Sequence, residues 1–220
     1  MIDEYLEGED WGEAPEAMAF EAAYGKIIEE ILVLHTVLRD EGQPQKAKTA
    51  SALRLYVRAP ALVNVALNYK ICAEHGLPLH PAVYYELAEA RRYDIGHPLA
   101  QIELANRLYR SSIDLARSAY RLDSGFPFLA AEFNASLPEE ILRFVYTGGR
   151  DRYSWRGAEP AKLRALADKL SSVYSPTLIV AAAHGAIMPA LLLAEYLELP
   201  KSRISIVRGL RARIKIVNIL

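Results

Sequence analysis

One stretch, residues 177–197, narrows the fold more than any other part of the chain. The β-rich run Thr177, Leu178, Ile179 and Val180 leads through alanines into His184, Gly185 and Ala186, and then directly into the apolar sequence from Ile187 to Leu197. This order predicts a strand over 177–182, a tight turn, and a helix over 188–199. A helix that starts straight out of a strand leaves its first main-chain N–H groups unpaired, with the positive end of the helix dipole beside them. Phosphate or pyrophosphate is the natural occupant of such a place. Ala183, His184, Gly185, Ala186 and Ile187 are therefore the candidate ligand-binding residues.

Composition limits what can surround this unit. A chain of 220 residues can bury a real core, as one large domain or two small ones. With 52% hydrophobic and 24% charged residues it reads as globular rather than disordered. A net charge of -1 supplies no overall field to gather nucleic acid or an anionic membrane, so neither is expected as a partner. Cys72 is the single cysteine, which excludes an intrachain disulfide and a multi-cysteine zinc site and suits a reducing, cytoplasmic setting. Its surroundings, Tyr69 to Ala73, mark it as a small buried hydrophobe. The opening residues are acidic where a secretory leader would be basic and then apolar. No run of about 18 apolar residues occurs, so no membrane span is expected.

Helical periodicity dominates the first two thirds. From Glu16 to Arg39, the residues Phe20, Ala23, Ile27, Ile31, Leu34 and Leu38 recur at steps of three and four, one buried helix face. A second helix is predicted from Ala47 to His75, kinked or divided at Pro60. Gly76 and Pro78 punctuate, a third helix follows from Pro81 to Arg92, and a long one runs from Leu99 to Leu122. Gly125 and Pro127 break the pattern. Ser136 followed three residues on by Glu139 predicts a helix start, and Thr147 and Gly148 read as that helix's C-cap.

After Gly148 the character changes. A helix over 161–174 precedes the strand, turn and helix described above, then a strand over 203–207 and another over 212–219. Alternating strands and helices of this length imply a parallel sheet with helices on it. The last strand alternates Arg211, Arg213 and Lys215 with Ala212, Ile214 and Ile216, as at a half-exposed sheet edge. The expected fold is α/β, with a mainly helical domain over 1–150 and a small parallel-sheet α/β segment over 151–220.

The turn Ala183, His184, Gly185 and Ala186, with Pro189, Ala190, Leu191, Leu192, Leu193 and Ala194 opening the helix and Ile204 to Arg208 as the next strand, resembles the first strand-loop-helix of type I phosphoribosyltransferases. The resemblance covers about a quarter of the chain. It implies that the main chain of Ala183, His184, Gly185 and Ala186 holds the pyrophosphate of phosphoribosyl pyrophosphate. It further implies a glycosyl transfer at the ribose anomeric carbon, usually assisted by magnesium. The family's later acidic strand end and its Thr-Gly-rich loop for the 5-phosphate have no counterpart before Leu220. The chain is thus expected to be a divergent or incomplete member, with the acidic loop replaced by other residues or supplied by another chain, and its catalytic residues stay unassigned.

Two other readings stand beside this one. Val180 to Ile187 is also similar to the second histidine motif of histidine phosphatases, which would make the chain a phosphohydrolase, yet no Arg-His-Gly nucleophile motif is present. Alternatively the chain is a non-catalytic helical interaction or regulatory protein, and helices rich in Ala, Leu and Tyr lead us to expect a homo-oligomer. His75 and His80 lack a carboxylate or thiol cluster and are not read as metal ligands. Arg150, Arg152 and Arg156 are the outside candidates to approach a ligand at His184. Tyr84, Tyr85, Tyr109 and Tyr120, at helical spacing, read as interhelical packing.

Overall fold

In a computed structural model, which describes residues 1–7, 21–79, 90–142, 145–147, 158–183 and 186–208, the apolar periodicities become eight helices and four short strands among those residues. The helices are α1 (Tyr24–Arg39), α2 (Gln45–Glu74), α3 (Ala90–Tyr93), α4 (Leu99–Arg121), α5 (Phe126–Ala135), α6 (Glu139–Leu142), α7 (Pro160–Val173) and α8 (Ile187–Tyr196). The strands are β1 (Glu21–Ala23), β2 (Val145–Thr147), β3 (Ile179–Ala183) and β4 (Ile204–Arg208), and single 3-10 turns form at Ile2–Tyr5 and Lys201–Arg203. The protein is mostly helical, with a small parallel sheet, which is a mixed α/β architecture. No helix among the described residues is long and apolar enough to cross a membrane.

The central element is α2. From Leu55 to Tyr69 it is buried on nearly every side, as a helix with apolar residues around its whole circumference must be. It packs against α1, α4, α8 and the N-terminal 3-10 turn. On α1 the buried residues Ile27, Ile31, Leu34 and Leu38 are those of the expected face. The helix ends where Gly76 takes φ +65, and a Cβ there would lie 3.0 Å from the Ile95 carbonyl oxygen, so both conformation and space require glycine. Cys72 is buried on α2, as expected.

Five local expectations are corrected. Residues 21–23, assigned to the start of a helix, form β1, which pairs antiparallel with β2 through Glu21 with Thr147 and Ala23 with Val145. That long-range pairing overrides the local periodicity and also turns Thr147, read as a helix cap, into a strand end. Helix α2 is not divided at Pro60 but continues through it. Phe126 to Ala135, passed over as a break, is α5, because Pro127 lies in the first turn where its missing N–H does no harm. Ser136 belongs to the end of α5 rather than the start of α6, and its hydroxyl donates back to the Phe133 carbonyl at 2.7 Å.

In the C-terminal part, β3 and β4 run parallel, with Ile179 opposite Ile204 and Ala183 opposite Arg208, and α8 is the crossover between them. This is the expected strand-helix-strand unit. Ala181, Ile204 and Ile206 point into the core, while Val180, Ala182 and Val207 on the opposite face are exposed. Residues on both sides of position 150 enter one buried cluster, from Ile2 and Leu6 through α1, α2 and α4 to Leu191 and Ile206. The predicted strand over 212–219 lies outside the described residues, as does most of the helix predicted from Pro81 to Arg92.

Candidate functional site

The junction of β3 and α8 lies at the carboxyl edge of the parallel pair, the edge where open α/β sheets receive ligands. Ala183 ends β3, Ala186 is the N-cap of α8, and Ile187 is its first residue, with its side chain buried in the core. His184 and Gly185 lie outside the described residues. The amide of Ala186 is already bonded to the Ala182 carbonyl at 3.3 Å, and Pro189 has no N–H. The amides of Ile187 and Met188 are the next donors of this helix end, and they meet no acceptor among the backbone carbonyls of the described residues. Their side chains are buried, so anything bound there meets main chain rather than the side chains of Ile187 and Met188.

The parallel register adds a residue that the sequence reading missed. Arg208 is opposite Ala183, which puts a basic residue of β4 at the same edge as the turn. Only the pairing of the two strands carries that information. Arg150, Arg152 and Arg156, the cations expected to approach the turn, lie outside the described residues, as do His80, Tyr84 and Tyr85.

Helix α8 is anchored at its other end by two clusters. In the first, Glu195 accepts from Arg117 Nε and from Arg121 Nη1 at 3.1 Å, and the Glu195 and Arg117 side chains are only 7% and 9% exposed. A carboxylate in the last turn opposes the helix dipole, and the two guanidinium groups of α4 offset it. In the second, Asp3 pairs with Arg164 of α7 and accepts from the Tyr196 hydroxyl at 3.0 Å. Arg164 also lies over the Tyr196 ring, 4.5 Å from its centroid. Burial, and then the Asp3 carboxylate, push the Tyr196 phenol above its ordinary value, so it stays a donor. The signal for the first cluster was a lone Glu195 among Leu193, Ala194, Tyr196 and Leu197; its partners, 74 and 78 residues away, have no local signature.

The sheet is fastened to the same helix. Ile206 donates its N–H to the Tyr109 hydroxyl at 2.9 Å, so α4 occupies the outer edge of β4 at that point. Tyr120 packs on Tyr56 with ring centroids 5.4 Å apart, the interhelical role expected of it, and Tyr56 donates to the Ala158 carbonyl at 2.6 Å. The described histidines serve elsewhere: His35 is buried against α5, His75 ends α2, and the Nε2 of His97 is 2.7 Å from the Leu77 carbonyl oxygen. Among the described residues no group of three or more His, Cys, Asp or Glu side chains is placed to hold a metal ion. No protein-family model, curated protein or solved structure matches the chain.

Proposed function

We propose that this protein binds a phosphorylated small molecule, such as phosphoribosyl pyrophosphate, pyrophosphate or a nucleotide, at the turn over 183–187, in the manner of a phosphoribosyltransferase. The observation that carries the reading is the parallel β3-α8-β4 unit, which brings the main-chain donors of Ile187 and Met188 to the carboxyl edge where Arg208 stands in register with Ala183. Main-chain amides and an arginine are residue types that a diphosphate requires. Neither β3, which ends at Ala183, nor β4, which ends at Arg208, closes on an acidic pair, so the proposal is one of binding. The described residues do not fit a resident metal site, and no step is assigned to magnesium.

Calorimetric titration of the whole chain with pyrophosphate, phosphoribosyl pyrophosphate and nucleotides, with and without magnesium, tests it. Saturable binding is expected, weakened roughly tenfold or more by Arg208→Ala, as for loss of one charge-assisted hydrogen bond. His184→Ala and Gly185→Val should weaken it as well. No heat from any of these ligands would overturn the reading. A second reading, a helical interaction protein, is favoured by Leu178, Val180 and Val207, which are 40%, 46% and 44% exposed on or beside the sheet face that lies away from the core of the described residues. Sedimentation that shows self-association without any phosphate response would select it.

A further inference from the structure

The connection between α4 and α5 carries a conformational cost. Leu122, which opens it, sits at φ +59, in the left-handed region that a leucine adopts only under constraint. It is the C-cap of α4, closed by bonds from the Leu122 N–H to the Ala119 carbonyl at 3.2 Å and from the Asp123 N–H to the Ser118 carbonyl at 3.1 Å, and two side chains one turn apart on α1 reach the same connection. Arg39 donates from Nη1 to the Leu122 carbonyl at 2.5 Å, and His35 hydrogen-bonds the backbone of Asp123. The His35 ring is 1% exposed and lies 4.6 Å from the centroid of Phe126, the first residue of α5, itself 1% exposed. Its Nε2 is buried with no hydrogen-bond partner.

A neutral imidazole suits this pocket, with one nitrogen donating to the backbone and the other against apolar surface. An imidazolium does not, because the proton on Nε2 would meet no acceptor. The charged groups acting on the ring are Arg39, on its own helix, and Asp123 in the connection; from α5 the group that faces it is the uncharged Phe126. Burial, and then Arg39, hold the imidazole below its ordinary value, against a smaller opposing pull from Asp123. The state in which the ring is released therefore binds more protons, and opening gains on closure as the pH falls below about 6.5.

We propose that His35 is an acid-operated latch: a proton taken from solvent onto Nε2 meets no acceptor in the pocket beside Phe126, so the charged ring leaves for solvent and frees α5 from α1. The face of α5 so uncovered carries Phe126, Ala130 and Phe133. Hydrogen exchange of the full chain, followed by mass spectrometry from pH 8 to pH 5 and corrected for intrinsic rates, tests the latch. Opening of 122–135 is expected to rise on the order of tenfold between pH 7 and pH 5, with α2 unchanged, and His35→Gln should flatten the response. Opening that ignores pH, or that keeps its pH dependence in His35→Gln, overturns the proposal. Should that variant fail to fold, the ring resonances of wild-type His35 decide: titration in step with the opening supports the latch, and titration without opening overturns it.

Discussion

Pro60 illustrates how single residues cooperate across the chain. Its ring removes the N–H that would reach the Tyr56 carbonyl four residues back, a change that ordinarily kinks a helix. Here α2 continues, and the Tyr120 hydroxyl donates to that same carbonyl at 2.8 Å. Burial keeps the Tyr120 phenol protonated, so it can act only in this donor state. Tyr120→Phe should therefore cost about 1–3 kcal/mol, the penalty of withdrawing a donor from a buried carbonyl. In a Pro60→Ala background the loss should be smaller, since the substituted residue brings its own N–H. Denaturant unfolding of the four proteins measures the coupling, and equal losses in both backgrounds would show that proline and tyrosine act independently. Pro60 was visible in the sequence as a helix breaker. Its remedy was not, because the donor comes from another helix 64 residues away.

Between elements, the attachment of α8 to α4 depends on how deeply each charge is buried. Glu195→Ala strands Arg117, 9% exposed, without its carboxylate and should cost about 3–5 kcal/mol in urea unfolding. Asp114→Ala, which frees Lys201 at 50% exposure, should cost less than about 1 kcal/mol. Comparable losses would mean that solvent reaches Glu195. The helix itself was legible from its apolar run, and so was its place between two strands. Two features of the candidate site were not. The position of Arg208 beside Ala183 depends on strand register, and the loss of the Ala186 amide to Ala182 depends on how the chain turns. Periodicity reports which face of an element is apolar; it carries no information about which atoms of two elements meet.

For the whole molecule, the shared core predicts one cooperative transition. Ile2 and Leu6 at one end of the chain and Ile204 and Ile206 near the other belong to the same buried cluster, and α4 holds the sheet through Tyr109 and α8 through Arg117. Far-ultraviolet circular dichroism and the near-ultraviolet tyrosine signal should thus give coincident unfolding curves. Two separated transitions would show that the helical part and the parallel unit unfold independently. The sequence by itself determined the main helices and the parallel strand-helix-strand order, because apolar spacing and chain punctuation act over a few residues. The tertiary structure alone decided the pairing of β1 with β2, the undivided course of α2, the residue opposite the turn and the partners of every buried charge. Those outcomes depend on contacts between segments far apart in the chain, whose free energies exist only once the segments are brought together.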